Sequence, residues 1–101
     1  MTERAVATLC VPASDPVFAG HFPGRPIVPG VVLLDWTLRE MGRALGCAPH
    51  SLRILEGKFF ATLRPDELAE LYIDGAGSRR AFRIRHSGTL LASGIVETRG
   101  E

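Results

Sequence analysis

From Val31 onward the apolar positions fall at helical spacing. Leu34, Leu38, Met41 and Leu45 make one stripe, three or four residues apart, as on one face of an α-helix. Val31, Val32, Leu33 and Trp36 widen the stripe across the first two turns. The pattern predicts a helix from Val31 to about Leu45, buried nearly all round at its start. It becomes amphipathic only where Arg39, Glu40 and Arg43 enter. Gly46 is placed to stop it. Before the helix, Val6, Thr8 and Cys10 alternate with Ala5, Ala7 and Leu9, which predicts a strand over Arg4 to Val11, ended by Pro12-Ala13-Ser14-Asp15-Pro16. After it come strand-like runs at Leu52 to Leu63 (interrupted at Gly57), Leu68 to Asp74, Arg80 to His86 and Thr89 to Thr98. Arg64-Pro65-Asp66, Gly75-Ala76-Gly77-Ser78 and Ser87-Gly88 supply the turns between them. One long buried helix, one strand before it and four after it predict an α+β fold in which an antiparallel sheet wraps the helix. Such a sheet has an open edge, and pairing with a second copy would protect it. A homodimer is expected.

Composition narrows the classes. The 101 residues are 46% hydrophobic and 23% charged, ordinary for a globular chain, and predict a single domain over residues 1–101. A formal charge of +1 gives no electrostatic case for nucleic acid or an anionic membrane as partner. The longest apolar run, Ile27 to Leu34, falls far short of the roughly 20 residues of a membrane span. Met1-Thr2-Glu3-Arg4-Ala5 lacks the apolar core of a signal peptide, so cytoplasmic residence is expected. Cys10 and Cys47 are then expected reduced, although two cysteines leave a disulfide open. With histidines scattered at 21, 50 and 86, no metal-binding spacing emerges.

Chemistry concentrates in Gly20-His21-Phe22-Pro23-Gly24-Arg25-Pro26-Ile27-Val28-Pro29-Gly30. Three prolines stiffen a loop that carries histidine, the side chain that most readily handles protons near neutral pH. Asp35 follows among Leu34, Trp36 and Leu38, where a carboxylate is costly to bury without a partner or a task. Together they suggest an acid–base site. Read alone, the loop could simply be a sharp turn into a helix, and Asp35 a helix-face residue paired with Arg39. His50 and His86 lack such a setting and are expected to be exposed.

Gly20-His21-Phe22-Pro23-Gly24-x-Pro26-x-x-Pro29-Gly30-Val31, with Asp35 beyond it, closely resembles the active-site segment of the FabA/FabZ-type 3-hydroxyacyl-ACP dehydratases. The likeness is dense over Phe18 to Asp35 and continues in Lys58-Phe59 and Pro65-Asp66-Glu67-Leu68. Leu34-Asp35-Trp36 and the short chain are most similar to the small, aryl-polyene-associated, ApeI-like dehydratases. The resemblance implies a hotdog fold and dehydration of a 3-hydroxyacyl thioester, carried on acyl carrier protein, to a trans-2-enoyl thioester without metal or redox cofactor. It implies His21 as base and Asp35, fourteen residues on, as acid, contributed by opposite subunits of the dimer. It further implies Gly30 as backbone donor to the thioester oxygen, Phe22 and Phe59 as substrate-lining residues, and a cis peptide between His21 and Phe22. Trp36 stands where the family usually has a small residue, so as a substrate-lining residue its ring would reshape the cavity; plain core packing is at least an equal alternative.

The chemistry needs a base at C2, an acid at the leaving 3-hydroxyl and a donor for charge on the thioester carbonyl. Neutral imidazole suits the first. The N–H groups at the start of a helix suit the last, and a glycine there admits the thioester closely. Asp35 is the harder assignment, because an ordinary carboxyl titrates near pH 4. Burial would raise it, whereas Arg39, one turn on where the family usually has glutamine, could hold it ionised. The favoured expectation is that Arg39 snorkels away and frees Asp35 to donate. Otherwise the pair persists and Asp35 orients the hydroxyl or a water. Arg79, Arg80, Arg83 and Arg85 form the one basic cluster. Arg83 and Arg85 share a strand face, read either as a solvated face or as a dock for an acidic carrier protein. Two rival functions share the fold: an acyl thioesterase, and a non-catalytic acyl-binding or partner subunit.

Overall fold

The computed structural model describes residues 4–19, 24 and 26–99. Its elements are β1 (Ala7–Cys10), α1 (Gly30–Leu45), β2 (Leu52–Phe59), β3 (Leu68–Asp74), β4 (Arg79–His86) and β5 (Thr89–Thr98), with single 3-10 turns at Pro16–Phe18 and Pro49–Ser51. The strands form one antiparallel sheet in the order β1-β3-β4-β5-β2. The expected sheet and helix are both present, and β3 and β5 begin and end where the alternation predicts. Alternation also sets the faces. Ala69 and Leu71 on β3, Phe82 and Ile84 on β4, and Ala92 and Val96 on β5 are buried together with Leu33 and Met41 of α1. No helix among the described residues is long and apolar enough to cross a membrane.

The helix differs from expectation in how it is rotated. Its buried line is Leu33, Thr37 and Met41, while Leu34, Leu38 and Leu45 lie partly buried at its margin. Thr37 is tolerated at the centre because its hydroxyl donates to the Leu33 carbonyl at 2.7 Å. The first turns are not buried all round, since Val31 is 73% exposed. Gly46 does end the helix, with φ +76°, and the Cys47 N–H donates to the Gly42 carbonyl at 2.9 Å.

Strand β2 also departs from the prediction, running unbroken through Gly57 and ending at Phe59. The irregularity is a bulge at Leu55, where the register to β5 shifts between Ile54 and Glu56. Gly57 lies opposite Gly94. At Gly94 a Cβ would run into the Glu56 carbonyl and come within 2.5 Å of the Phe82 ring. The inner side of β5 at this point is therefore filled by an aromatic from β4. Among the described residues β2 keeps a free outer edge, since β5 is its neighbour on one side and no strand stands on the other.

Candidate active site

Just before α1 the Val28 N–H donates to the Leu63 carbonyl, in the loop between β2 and β3, at 2.7 Å. Pro29 then takes the N-cap position and offers no side-chain acceptor. Its carbonyl accepts from Val32 and Leu33 at 3.0 and 3.2 Å. Among the described residues, no backbone acceptor meets the N–H groups of Gly30 or Val31. Two donors therefore stand free at the positive end of a sixteen-residue helix.

The first of them, Gly30, borders an apolar cleft of about 290 Å³, whose other walls are Ile27, Val28, Leu33, Phe59, Ala61, Thr62 and Leu63. Phe59 reaches it because β2 ends there on the face shared with Ala92. The ring lies against Gly30, where a Cβ would come within 3.1 Å of its Cζ. A flat, narrow group could lie along Gly30 with an oxygen on its amide and an apolar tail in the cleft. This is the geometry required for holding a polarised carbonyl. Of the expected substrate-lining residues, Gly30 and Phe59 meet here. Trp36 does not line the cleft and packs against the core. Phe22, His21 and the peptide between them lie outside the described residues.

Asp35 sits elsewhere on the helix. It belongs to the line Val31, Asp35, Arg39 and Arg43, the exposed side of α1. Its carboxylate is not buried among Leu34, Trp36 and Leu38, and Arg39 does not point away. Arg39 Nε stands 3.0 Å from Asp35 Oδ2, with the two side chains 67% and 63% exposed respectively. An exposed pair one turn apart stabilises a helix by only about 0.3–0.5 kcal/mol. The favoured expectation therefore gives way to its alternative, in which the pair persists. The physical reason is the i, i+4 spacing, which lets the guanidinium fold back along its own helix.

Two of the four cluster arginines, Arg79 and Arg83, meet acids. Arg79 and Arg53 both meet Glu97, at 3.2 and 3.1 Å. Arg83 and Arg85 do share the outer sheet face, opposite Phe82 and Ile84. They lie over the Tyr72 ring at 5.6 and 5.8 Å, with Arg83 held by Asp74 at 2.6 Å. Tyr72 in turn donates to Glu70 at 3.3 Å. The face is mixed in charge. His50 is exposed as expected. His86 is not, because its Nδ1 lies 2.7 Å from the Leu68 carbonyl and its Nε2 lies 3.4 Å from Glu67. Both cysteines are free, and no group of three potential metal ligands occurs among the described residues.

The cleft wall at Ala61, Thr62 and Leu63 escaped the sequence reading. Its one available signal was that these residues follow directly on Lys58-Phe59.

Comparison with known proteins places this geometry. A family model described as ApeI-like, the ApeI dehydratase, matches residues 1–95. The 3-hydroxyacyl-[acyl-carrier-protein] dehydratase FabZ of Syntrophotalea carbinolica is 27% identical over 108 residues, spanning 98% of this chain and 72% of that protein. FabZ of Thermotoga petrophila is 32% identical over 99 residues, spanning 94% of this chain and 64% of that protein. The chain thus corresponds to roughly two thirds of the length of these relatives. In fold it is similar to the dehydratase heterocomplex ApeI:P from Xenorhabdus doucetiae, with a TM-score of 0.71 at 22% identity, covering 99% of this chain and 100% of that one.

Proposed function

The chain belongs to the ApeI-like dehydratase family of hotdog proteins, and on that footing we propose that it removes water from 3-hydroxyacyl thioesters borne on acyl carrier protein. The products would be trans-2-enoyl thioesters for fatty-acid or polyene-type biosynthesis in the cytoplasm. The observation that carries this reading is the uncapped helix start at Gly30, opening onto an apolar cleft. A thioester oxygen on the Gly30 amide draws charge from C2, which acidifies the C2 proton. His21 takes that proton, and Asp35 attends the 3-hydroxyl that leaves.

The site is shared between two copies. An exposed Asp35 offers no shielded place for a leaving hydroxyl, and it lies five residues from Gly30, roughly 140° round the helix. The free edge of β2, with Leu55, Phe59 and Phe60 exposed beside it and Val31 exposed on α1, supports edge-to-edge pairing. The protein from Xenorhabdus doucetiae is described as a heterocomplex. Here Glu56 and Lys58 flank Gly57, so a two-fold axis at Gly57 sets opposite charges face to face, which favours a second copy of this chain.

The test is turnover. The purified chain is offered a 3-hydroxyacyl-carrier-protein substrate, and the enoyl product is followed directly. Expected are enoyl formation and losses of at least about 100-fold in both His21→Ala and Asp35→Ala. Release of free thiol without enoyl product would identify a thioesterase instead. Acyl binding without turnover would identify a partner subunit.

A further inference from the structure

We propose that Arg39 is a positioning residue, which holds Asp35 as a fixed carboxylate so that it accepts a hydrogen bond from the substrate's 3-hydroxyl instead of donating a proton. The inference rests on the dehydratase reading above and concerns how its second residue works. Among the described residues, Arg39 alone meets the Asp35 carboxylate, through Nε on Oδ2 at 3.0 Å. Oδ1 is left for a ligand. The next cation along the line, Arg43, is turned to Glu40 at 3.7 Å and does not compete.

The setting gives the pair a purpose that stability does not. Val31 shares its helix line and is 73% exposed. When a second copy covers this line, Asp35 is covered with it. A carboxylate desolvated without a counter-charge takes up a proton or destabilises the interface. With Arg39 one turn away on the same helix, Asp35 enters the covered site already neutralised as a pair. An ion-paired carboxylate is an acceptor, and the Nε contact ties down one of its oxygens while the other stays open.

The proton inventory then closes on one base. His21 removes the C2 proton and the electrons of that C–H bond form the C2=C3 double bond. The C3–O bond breaks, and the imidazolium returns the same proton to the departing oxygen, giving water. Asp35 contributes no proton and holds the hydroxyl in line for departure.

Steady-state kinetics of single and double variants on a 3-hydroxybutyryl-carrier-protein substrate test this. Arg39→Gln is expected to lower kcat about tenfold with KM within about twofold, and Arg39→Lys to recover all but about threefold. Asp35→Asn keeps an acceptor oxygen and should retain about a tenth of wild-type kcat, against the loss of 100-fold or more seen when a proton donor is removed. In that Asn background Arg39→Gln should cost nothing further, since it acts through Asp35. The proposal is overturned by unchanged kcat in Arg39→Gln, by losses that multiply in the double variant, or by Asp35→Asn falling as far as Asp35→Ala. A wild-type chain without turnover would overturn the dehydratase reading and this one together, whereas those results in an active enzyme would overturn only the role of Arg39.

Discussion

Replacing Gly30 with alanine should separate folding from catalysis. At the first position of a helix, alanine is favoured over glycine by roughly 0.5–1 kcal/mol through backbone entropy. Against this, the new Cβ would meet the Phe59 ring at 3.1 Å from Cζ and 3.3 Å from Cε1. That is tight by only a few tenths of an ångström, and the ring is 49% exposed at the end of β2 and can tilt. The two terms nearly cancel, so the melting temperature should stay within about 5 °C of wild type. Activity should not survive as well. The methyl group occupies the wall along which the thioester must lie to reach the Gly30 amide, and displacing a reacting group by about 1 Å costs on the order of 100-fold. Thermal melts followed by circular dichroism, beside kcat/KM on a 3-hydroxyacyl thioester, measure both quantities. A folded Gly30→Ala protein with kcat/KM within threefold of wild type would refute the argument, because no thioester could then be passing over this residue.

Two further substitutions probe the edge and the sheet. Glu56→Lys or Lys58→Glu alone should weaken self-association by roughly 1–4 kcal/mol, since each turns two cross-strand attractions per dimer into repulsions. The double exchange should restore it, as read by sedimentation velocity, and no response to any of the three would place the interface elsewhere. Gly94→Ala should lower the melting temperature by about 5 °C or more, because its Cβ has no room beside the Glu56 carbonyl and the Phe82 ring. An unchanged melt would mean that β5 can shift there.

What could be read from the chain divides along a physical line. Strands β3 and β5 were legible to the residue because alternation records which side faces a core, and each has one buried face. The helix was legible as a helix but not in its rotation. Counting apolar residues passes over Thr37, which occupies the buried line by satisfying its own hydroxyl on Leu33. Gly57 predicts an interruption, yet β2 continues through it. The glycine that geometry demands is its neighbour Gly94, and nothing local marks it, because the demand comes from Phe82 on another strand. The choice between the two orientations of Arg39 was equally hidden. Spacing permits the pair with Asp35 but does not select it.

Asp35 and Val31 carry the same lesson into the site. The apolar run around Asp35 predicts burial within the chain, and in the single chain both residues are exposed. Hydrophobic periodicity sums every surface that a side chain will ever cover, without separating a fold from an assembly. The uncapped amides of Gly30 sit on one side of the helix and the Arg39-held carboxylate on another, so one chain presents two half-sites that face apart. Two chains joined along β2 would bring unlike halves together. On this argument a chain held monomeric by the charge reversal at Glu56 should keep its fold and its affinity for an acyl group while losing turnover. A monomer with wild-type kcat would show that both halves work within one chain.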